Sequence, residues 1–232
     1  MRILVVTAVP AERDAVLGGG AVPGVDGVPD AGADARAVSG VDAVAAGVGP
    51  AAAAAGTAAA LARTAYDLVV SAGIGGGFAG AAPVGSLVVA DRILAADLGA
   101  ETADGFLPID ELGFGTGVFD VDPDLVERIA KAARGTVLDV AVGAVLTVST
   151  VTGSAARAAE LTRRHPRAAA EAMEGFGVAT AAHAAGVPFC ELRAISNPVG
   201  PRDRDAWRIP DALRALGVAA AAILPELREE RA

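Results

Sequence analysis

An apolar run, Val187-Pro-Phe-Cys-Glu-Leu-Arg-Ala-Ile195, leads into Ser196-Asn197 and then at once into a polar loop, Pro198-Val-Gly-Pro-Arg202-Asp203-Arg204-Asp205-Ala-Trp207. Ligands of open α/β sheets sit just beyond the carboxyl ends of strands. A neutral amide followed by clustered arginines at such an end suits something planar and polar. The Asn197 amide pairs one donor with one acceptor, which matches a heterocycle edge that also carries one of each. Asn before a proline also makes turns, so the residue alone leaves both readings open. Two acids share the expected position. Glu174, after Met173, ends a strand and opens a helix, where a carboxylate can accept two hydrogen bonds from a vicinal diol such as a ribose. The helix dipole favours an acid there in any case. Glu12 follows the first strand, where a carboxylate can serve as general base on water, pair with Arg13, or cap its helix.

The intervening elements must carry these groups to one place. Short β-branched runs alternate with Ala-rich helical stretches, the pattern of a largely parallel sheet covered on both faces. Strands are expected at Ile3 to Val6, Val41 to Val48, Leu68 to Ser71, Ser86 to Ala90, Ala141 to Val148, Ala168 to Met173 and Val187 to Ile195. Helices are expected from about Ala11, from Pro50 to near Arg63, and over Pro123 to Ala133, Ala155 to Arg164, Gly175 to Ala185 and Ile209 to Leu227. Gly18 to Asp34 reads as a hairpin or surface loop. Asp97 to Phe119 lacks a clean period and reads as an active-site excursion, since long irregular loops inside compact domains are often functional.

The glycine stretch Gly73-Ile-Gly75-Gly76-Gly77-Phe-Ala-Gly80 contains a formal G-x-G-x-x-G, but Pro83 and Gly85 intervene before the next element, a strand. A dinucleotide fingerprint needs a helix to begin at the glycines. These glycines are read as backbone passing close to some other ligand, or as a turn. His165 and His183 lie far apart on helical stretches, and no metal-ligand cluster or cofactor is expected.

At 232 residues with 53% apolar side chains, the chain is long enough for one good-sized α/β domain. A net charge of −9 argues against a nucleic-acid groove. The single cysteine, Cys190, is expected in the core of a protein from a reducing, cytoplasmic compartment. The uncharged run Ala43 to Ala62 has membrane length. Its Gly49-Pro50 centre and Ala/Gly content make it strand, turn and helix instead.

Taken together, Met1 to Glu12, Gly47-Val-Gly-Pro-Ala-Ala-Ala, Ser71-Ala-Gly-Ile-Gly-Gly, Val84-Gly-Ser-Leu-Val-Val-Ala-Asp91, Ala172-Met-Glu174 and Arg193-Ala-Ile-Ser-Asn197 resemble the nucleoside phosphorylase and nucleosidase superfamily. Within it they look most like the 5′-methylthioadenosine/S-adenosylhomocysteine nucleosidases. The resemblance implies one nucleosidase domain over residues 1–232, a three-layer α/β/α with a mixed, mostly parallel central sheet. It implies Glu12 and Asn197 as catalytic residues, with Glu12 activating water and residue 197 serving the purine. It also implies that Glu174 binds the ribose hydroxyls, Met173 packs on the sugar, and Ile74 and Gly75 contribute backbone and shape contacts beside Ser196. The expected ligands are a small purine nucleoside and water, in a homodimer or larger homo-oligomer, with neither nucleic acid nor membrane as partner.

The sequence departs from that branch at residue 197, where the branch has Asp. Asn can donate to a 6-oxo oxygen while its carbonyl accepts from a protonated N7, which favours hypoxanthine over adenine as the leaving base. The loop Ser196-Asn-Pro-Val-Gly-Pro-Arg-Asp-Arg204, with Trp207 nearby, resembles the corresponding segment of futalosine hydrolases. That likeness implies Arg202 and Trp207 as further substrate contacts and futalosine as substrate. The turn Thr7-Ala-Val-Pro-Ala-Glu12 lacks the phosphate-binding arginine of the phosphorylases, so water is the expected acceptor. An adenine-nucleoside or inosine nucleosidase, and a non-catalytic nucleoside-binding module, are the other readings.

Overall fold

The computed structural model describes residues 1–18, 35–38 and 40–229, with the backbone alone at 35–38. The expected hairpin or loop from Gly18 to Asp34 falls almost wholly outside the described residues.

The chain opens with β1 (Ile3–Thr7), every residue of which is buried, and α1 (Pro10–Val16), begun by a proline at its first turn. β2 (Ala35–Val38) and β3 (Val41–Ala45) follow, then α2 (Pro50–Leu61). Gly49 starts α2 at φ +92°, a conformation open to glycine, and Pro50 supplies the helical φ of the next residue. The uncharged run of membrane length is therefore strand, turn and helix. No helix among the described residues is long and apolar enough to cross a membrane.

β4 (Leu68–Gly77) is longer than its sequence suggests. The glycines expected to form a loop continue the strand to Gly77, because neighbouring strands hold their backbone on both sides. β5 (Leu87–Ala95) comes next. The expected irregular excursion is a hairpin of β6 (Gly99–Thr102) and β7 (Gly105–Pro108), a short helix α3 (Ile109–Leu112), and β8 (Val118–Asp120) on the edge of β5. Its strands are four residues or fewer, too short to show a period.

The remaining elements are α4 (Pro123–Arg134), β9 (Val140–Thr147), α5 (Ala155–Arg164), β10 (Ala168–Ala172), α6 (Gly175–Ala184), β11 (Phe189–Pro198) and α7 (Ile209–Arg228). Asp122 caps α4, accepting hydrogen bonds from the Asp124 and Leu125 amides at 2.8 and 3.2 Å. Ser154 caps α5 through the Arg157 amide. α2 lies close against α6, where a Cβ on Gly177 would fall 2.0 Å from the Pro50 carbonyl oxygen.

The expectation of an α/β fold with a mixed sheet is met. Strands run β10-β9-β5-β11-β4-β1-β3-β2, with parallel pairs along β3-β1-β4-β11, β5-β9 and β9-β10. The difference lies in closure: β10 also pairs antiparallel with β4, so β4, β11, β5, β9 and β10 form a ring. Three flat layers would leave β10 as a free edge, and the return pairing gives that edge a partner. Register shifts between Ala90 and Arg92 in β5 and between Ile195 and Asn197 in β11 supply the local bends that closure needs. The apolar core fills the ring and the space beneath α4 and α7, with Leu87, Val89, Ile195 and Leu216 among its buried side chains.

Candidate active site

The parallel strands β1, β4 and β11 end on one side of the sheet, and β10 returns to that same end. Half-exposed backbone at Ile74, Gly75 and Gly76 lies there between buried segments, the floor of the candidate site.

Glu12 projects back from α1 towards this floor. Its Oε2 accepts hydrogen bonds from the Ala8 and Val9 amides at 2.9 and 3.2 Å, and its Oε1 accepts one from the Ile74 amide at 2.9 Å. The carboxylate thus caps its own helix and reaches β4, while Arg13 pairs with Asp14 instead. Only 3% of Glu12 is exposed. Burial raises its pKa above the ordinary carboxylate range, the Glu174 charge pushes the same way, and Arg193 with the backbone donors pulls against them.

Glu174 sits at the N-cap of α6. Its Oε1 accepts from the Gly49 amide at 3.2 Å, and its Oε2 accepts from Arg193 Nη1 at 3.1 Å. Met173 beside it is half-buried. Arg193 has a place here that its residue type and position in the chain do not by themselves reveal. Its guanidinium, 1% exposed, also donates to Glu191 Oε1 at 2.8 Å, Ser71 Oγ at 3.1 Å and the Ile74 carbonyl at 3.4 Å. Burial opposes its charge, but Glu191, Glu174 and Glu12 together outweigh that and hold it above the ordinary arginine pKa. Burial raises the Glu191 carboxyl, and its Oε2 has no hydrogen-bond partner among the described residues. Gly175 is required beside it: a Cβ there would fall 2.0 Å from that oxygen. One signal for this pair was present in the sequence. Glu191 and Arg193 are opposite charges two residues apart in an otherwise apolar strand, so they share one face.

Asn197 follows the register shift in β11 and pairs with Gly76 of β4. Its Oδ1 accepts from Ser196 Oγ at 2.8 Å, and its Nδ2 donates to the Pro198 carbonyl at 3.0 Å. Ser196 Oγ also lies 3.2 Å from the Gly75 carbonyl oxygen. These bonds orient the amide and leave one N–H and one carbonyl lone pair for a ligand. The loop beyond is tied at both ends, by Val199 N to Gly77 O and by Arg208 N to Ser196 O, each 2.8 Å. Arg202 is exposed, with its guanidinium carbon 5.8 Å from the Trp207 ring centroid. Among the described residues no ion pair joins Arg202 or Arg204 to Asp203 or Asp205, whereas Arg208 pairs with Asp211 at 3.3 Å. The structure therefore brings Glu12, Ile74, Gly75, Glu174, Ser196 and Asn197 together, with Met173 on the same segment as Glu174. Arg202 and Trp207 stand on the polar loop that follows.

The histidines lie elsewhere: His183 stacks on Phe119 with centroids 5.2 Å apart, and His165 ends α5.

Comparison with known proteins gives a consistent assignment. Residues 36–227 match the model of the phosphorylase superfamily. Futalosine hydrolase of Streptomyces coelicolor is 61% identical, covering 98% of this chain and 97% of that protein. Futalosine hydrolase of Acidothermus cellulolyticus is 51% identical, covering 95% and 89%. Among solved structures, the 5′-methylthioadenosine/S-adenosylhomocysteine nucleosidase of Neisseria meningitidis, bound to methylthio-immucillin-A, superposes with a TM-score of 0.77 at 23% identity over 97% of each chain. Native futalosine hydrolase of Helicobacter pylori gives 0.78 at 18% identity, over 97% of this chain and 98% of that one.

Proposed function

Since the chain belongs to the phosphorylase superfamily and, within it, to the futalosine hydrolases, we propose that it hydrolyses the N-glycosidic bond of futalosine. The products are hypoxanthine and dehypoxanthine futalosine, a step of menaquinone biosynthesis. The observation that carries this reading is the neutral, oriented Asn197 amide at one end of a candidate site whose other end holds buried carboxylates.

N-glycosidic cleavage builds positive charge on the ribose and negative charge on the departing purine, so both ends must be stabilised. Glu174 accepts the ribose hydroxyls, and Met173 packs on the sugar. Ile74, Gly75 and Ser196 shape the floor. Glu12, its pKa raised by burial, takes a proton from water as the oxygen bonds to C1′. The C1′–N9 electron pair leaves with the base. Asn197 donates to O6 and accepts from N7 once that nitrogen is protonated. An amide is too weak an acid to supply that proton, so it reaches N7 through water. Arg202, over Trp207 on the polar loop, meets the aryl carboxylate of the C5′ extension by paired N–H donors.

Residues 1–232 act on this reading as one nucleosidase domain in the cytoplasm, assembled as a homodimer or larger homo-oligomer. Incubation with futalosine, inosine and methylthioadenosine, with free base followed by chromatography, tests the reading. Hypoxanthine release from futalosine well ahead of release from the other two is expected. Adenine release as the fastest reaction would show an adenine-nucleoside nucleosidase, and no release at all would show a binding module.

A further inference from the structure

Glu191 is wholly buried on β11 and takes no part in the chemistry above. A buried carboxyl is costly, so its place needs a reason. Its two oxygens have different surroundings. Oε1 accepts from Arg193 Nε at 2.8 Å, whereas Oε2 has no hydrogen-bond partner among the described residues and lies against Gly175. Gly175 is the first residue of α6, next to Glu174. One carboxyl thus touches both the counter-ion of Glu174 and the backbone that carries Glu174.

The sheet register puts the partners on one face. Glu191 pairs with Ser71 of β4, and Arg193 pairs with Gly73, two residues on. Alternate residues share a face, so Glu191, Arg193, Ser71 and Gly73 project to the same side. Gly73 leaves room there for the guanidinium: a Cβ on it would fall 2.6 Å from Arg193 Nη1. The three guanidinium nitrogens then go to different places. Nε donates to Glu191, Nη2 to Ser71 Oγ at 3.1 Å, and Nη1 to Glu174 Oε2 at 3.1 Å, with the Ile74 carbonyl oxygen 3.4 Å away.

A guanidinium is planar and rigid, so fixing two of its nitrogens fixes the direction of the third. Glu191 and Ser71 hold the two nitrogens that do not touch Glu174. Glu174 has little else to orient it. Its side chain makes no capping bond to α6, and besides Arg193 it accepts only from the Gly49 amide, at 3.2 Å, among the described residues. Each of its oxygens keeps a second lone pair. A vicinal diol can use both only if the carboxylate is held at one rotation, and the direction of Nη1 sets that rotation.

We infer that Glu191 is a positioning residue: with Ser71 it fixes the plane of the Arg193 guanidinium, which aims the Glu174 carboxylate at the two ribose hydroxyls. This inference rests on the proposed function for the role of Glu174 and extends it to a residue that touches no substrate.

The test measures, by calorimetry on the full chain, the affinities of 9-deazainosine and its 2′-deoxy form. Both carry a carbon–carbon glycosidic bond, so neither is consumed. The wild-type protein is expected to bind the ribose form at least about tenfold tighter, the loss associated with one hydrogen bond to a charged group. Glu191→Leu removes the acceptor at Nε and should cut that ratio at least about fivefold. Glu191→Gln keeps an oxygen for Nε without the charge and should hold the ratio within about twofold of wild type. A Glu191 that only fills space would leave the ratio intact in both variants, and one that only offsets the Arg193 charge would lower it in both. Either result overturns the inference. If Glu191→Leu does not fold, Ser71→Ala reads the same plane from its other anchor. A fall in the ratio of at least about threefold is then expected, and an unchanged ratio overturns the inference. A wild-type protein that binds the two nucleosides alike would take the ribose away from Glu174, and the inference with it. Failure to release hypoxanthine from futalosine would instead sink the proposed reaction alone, because the binding ratio is read without turnover.

Discussion

The two ends of the candidate site are built on opposite principles. At the sugar end, Glu12, Glu174, Glu191 and Arg193 are all at most 5% exposed, and a single guanidinium ties two of the acids together. At the proposed base end Asn197 is uncharged, and its bonds run to its own neighbours, Ser196 and Pro198. Buried charges must be paired or they cost several kcal/mol each, so the sugar end is stiff and intolerant of change. A carboxamide satisfied by local bonds can be exchanged at modest cost. On the proposed function, the difference separates the part of the site that breaks the bond from the part that chooses the base.

Substitutions at the two ends test that separation. Glu12→Gln should have the largest effect on turnover, a fall of about 10³-fold in kcat, as expected for loss of a general base. Hypoxanthine affinity, measured by calorimetry, should stay within about threefold. Retained turnover would refute its role as base. Arg193→Met should lower the free energy of unfolding by about 3–5 kcal/mol, since it leaves Glu191 and Glu174 buried without their partner; denaturant titration measures this. A loss below about 1 kcal/mol would mean that the sugar end is far less strained than its burial suggests.

Asn197→Asp should leave stability within about 1 kcal/mol while moving preference from 6-oxo towards 6-amino nucleosides by about 10–100-fold, the range for one mismatched buried polar pair. Competition between futalosine and its 6-amino analogue reads the shift. The pH dependence of kcat is a subtler probe. On the proposed mechanism Glu12 must be ionised to act as base, and burial raises its pKa above the ordinary range. Activity should therefore fall on acidification at a pH above that of an exposed glutamate. An acid limb at the ordinary glutamate pKa would assign the limb to another group. Arg202→Ala should have the smallest effect, raising KM for futalosine about three- to tenfold and leaving KM for inosine unchanged, because an exposed arginine contributes little where solvent screens it. Equal changes for both substrates would remove Arg202 from the site.

Much of this was legible from residue types in order. The buried run Ile3 to Val6, the Gly49-Pro50 helix start and the Asp122-Pro123 cap each carry a local physical signature, and each element forms where that signature lies. Glu12, Glu174 and Asn197 were legible as candidates because each stands at the junction of a strand with a helix or loop. The glycine stretch was not: its residues favour a turn in isolation, yet β10 and β11 bind their backbone into β4. The 97–119 segment hid its hairpin because four-residue strands are too short for an alternating pattern to emerge.

What the sequence determined by itself is the chemistry on offer: a carboxamide at the end of an apolar strand, two acids after strands, and alternating elements that form an α/β sheet. Only the tertiary structure decided that β10 closes back onto β4, so that the backbone of Gly76 and Gly77 is held from both sides. It also decided that Arg193 is the shared counter-ion of the sugar end rather than a surface charge. The reason is physical. Capping and turn preferences act over three or four residues. The pairing of a buried charge, or of strand edges nearly a hundred residues apart in the chain, depends on which backbones meet once the core has formed.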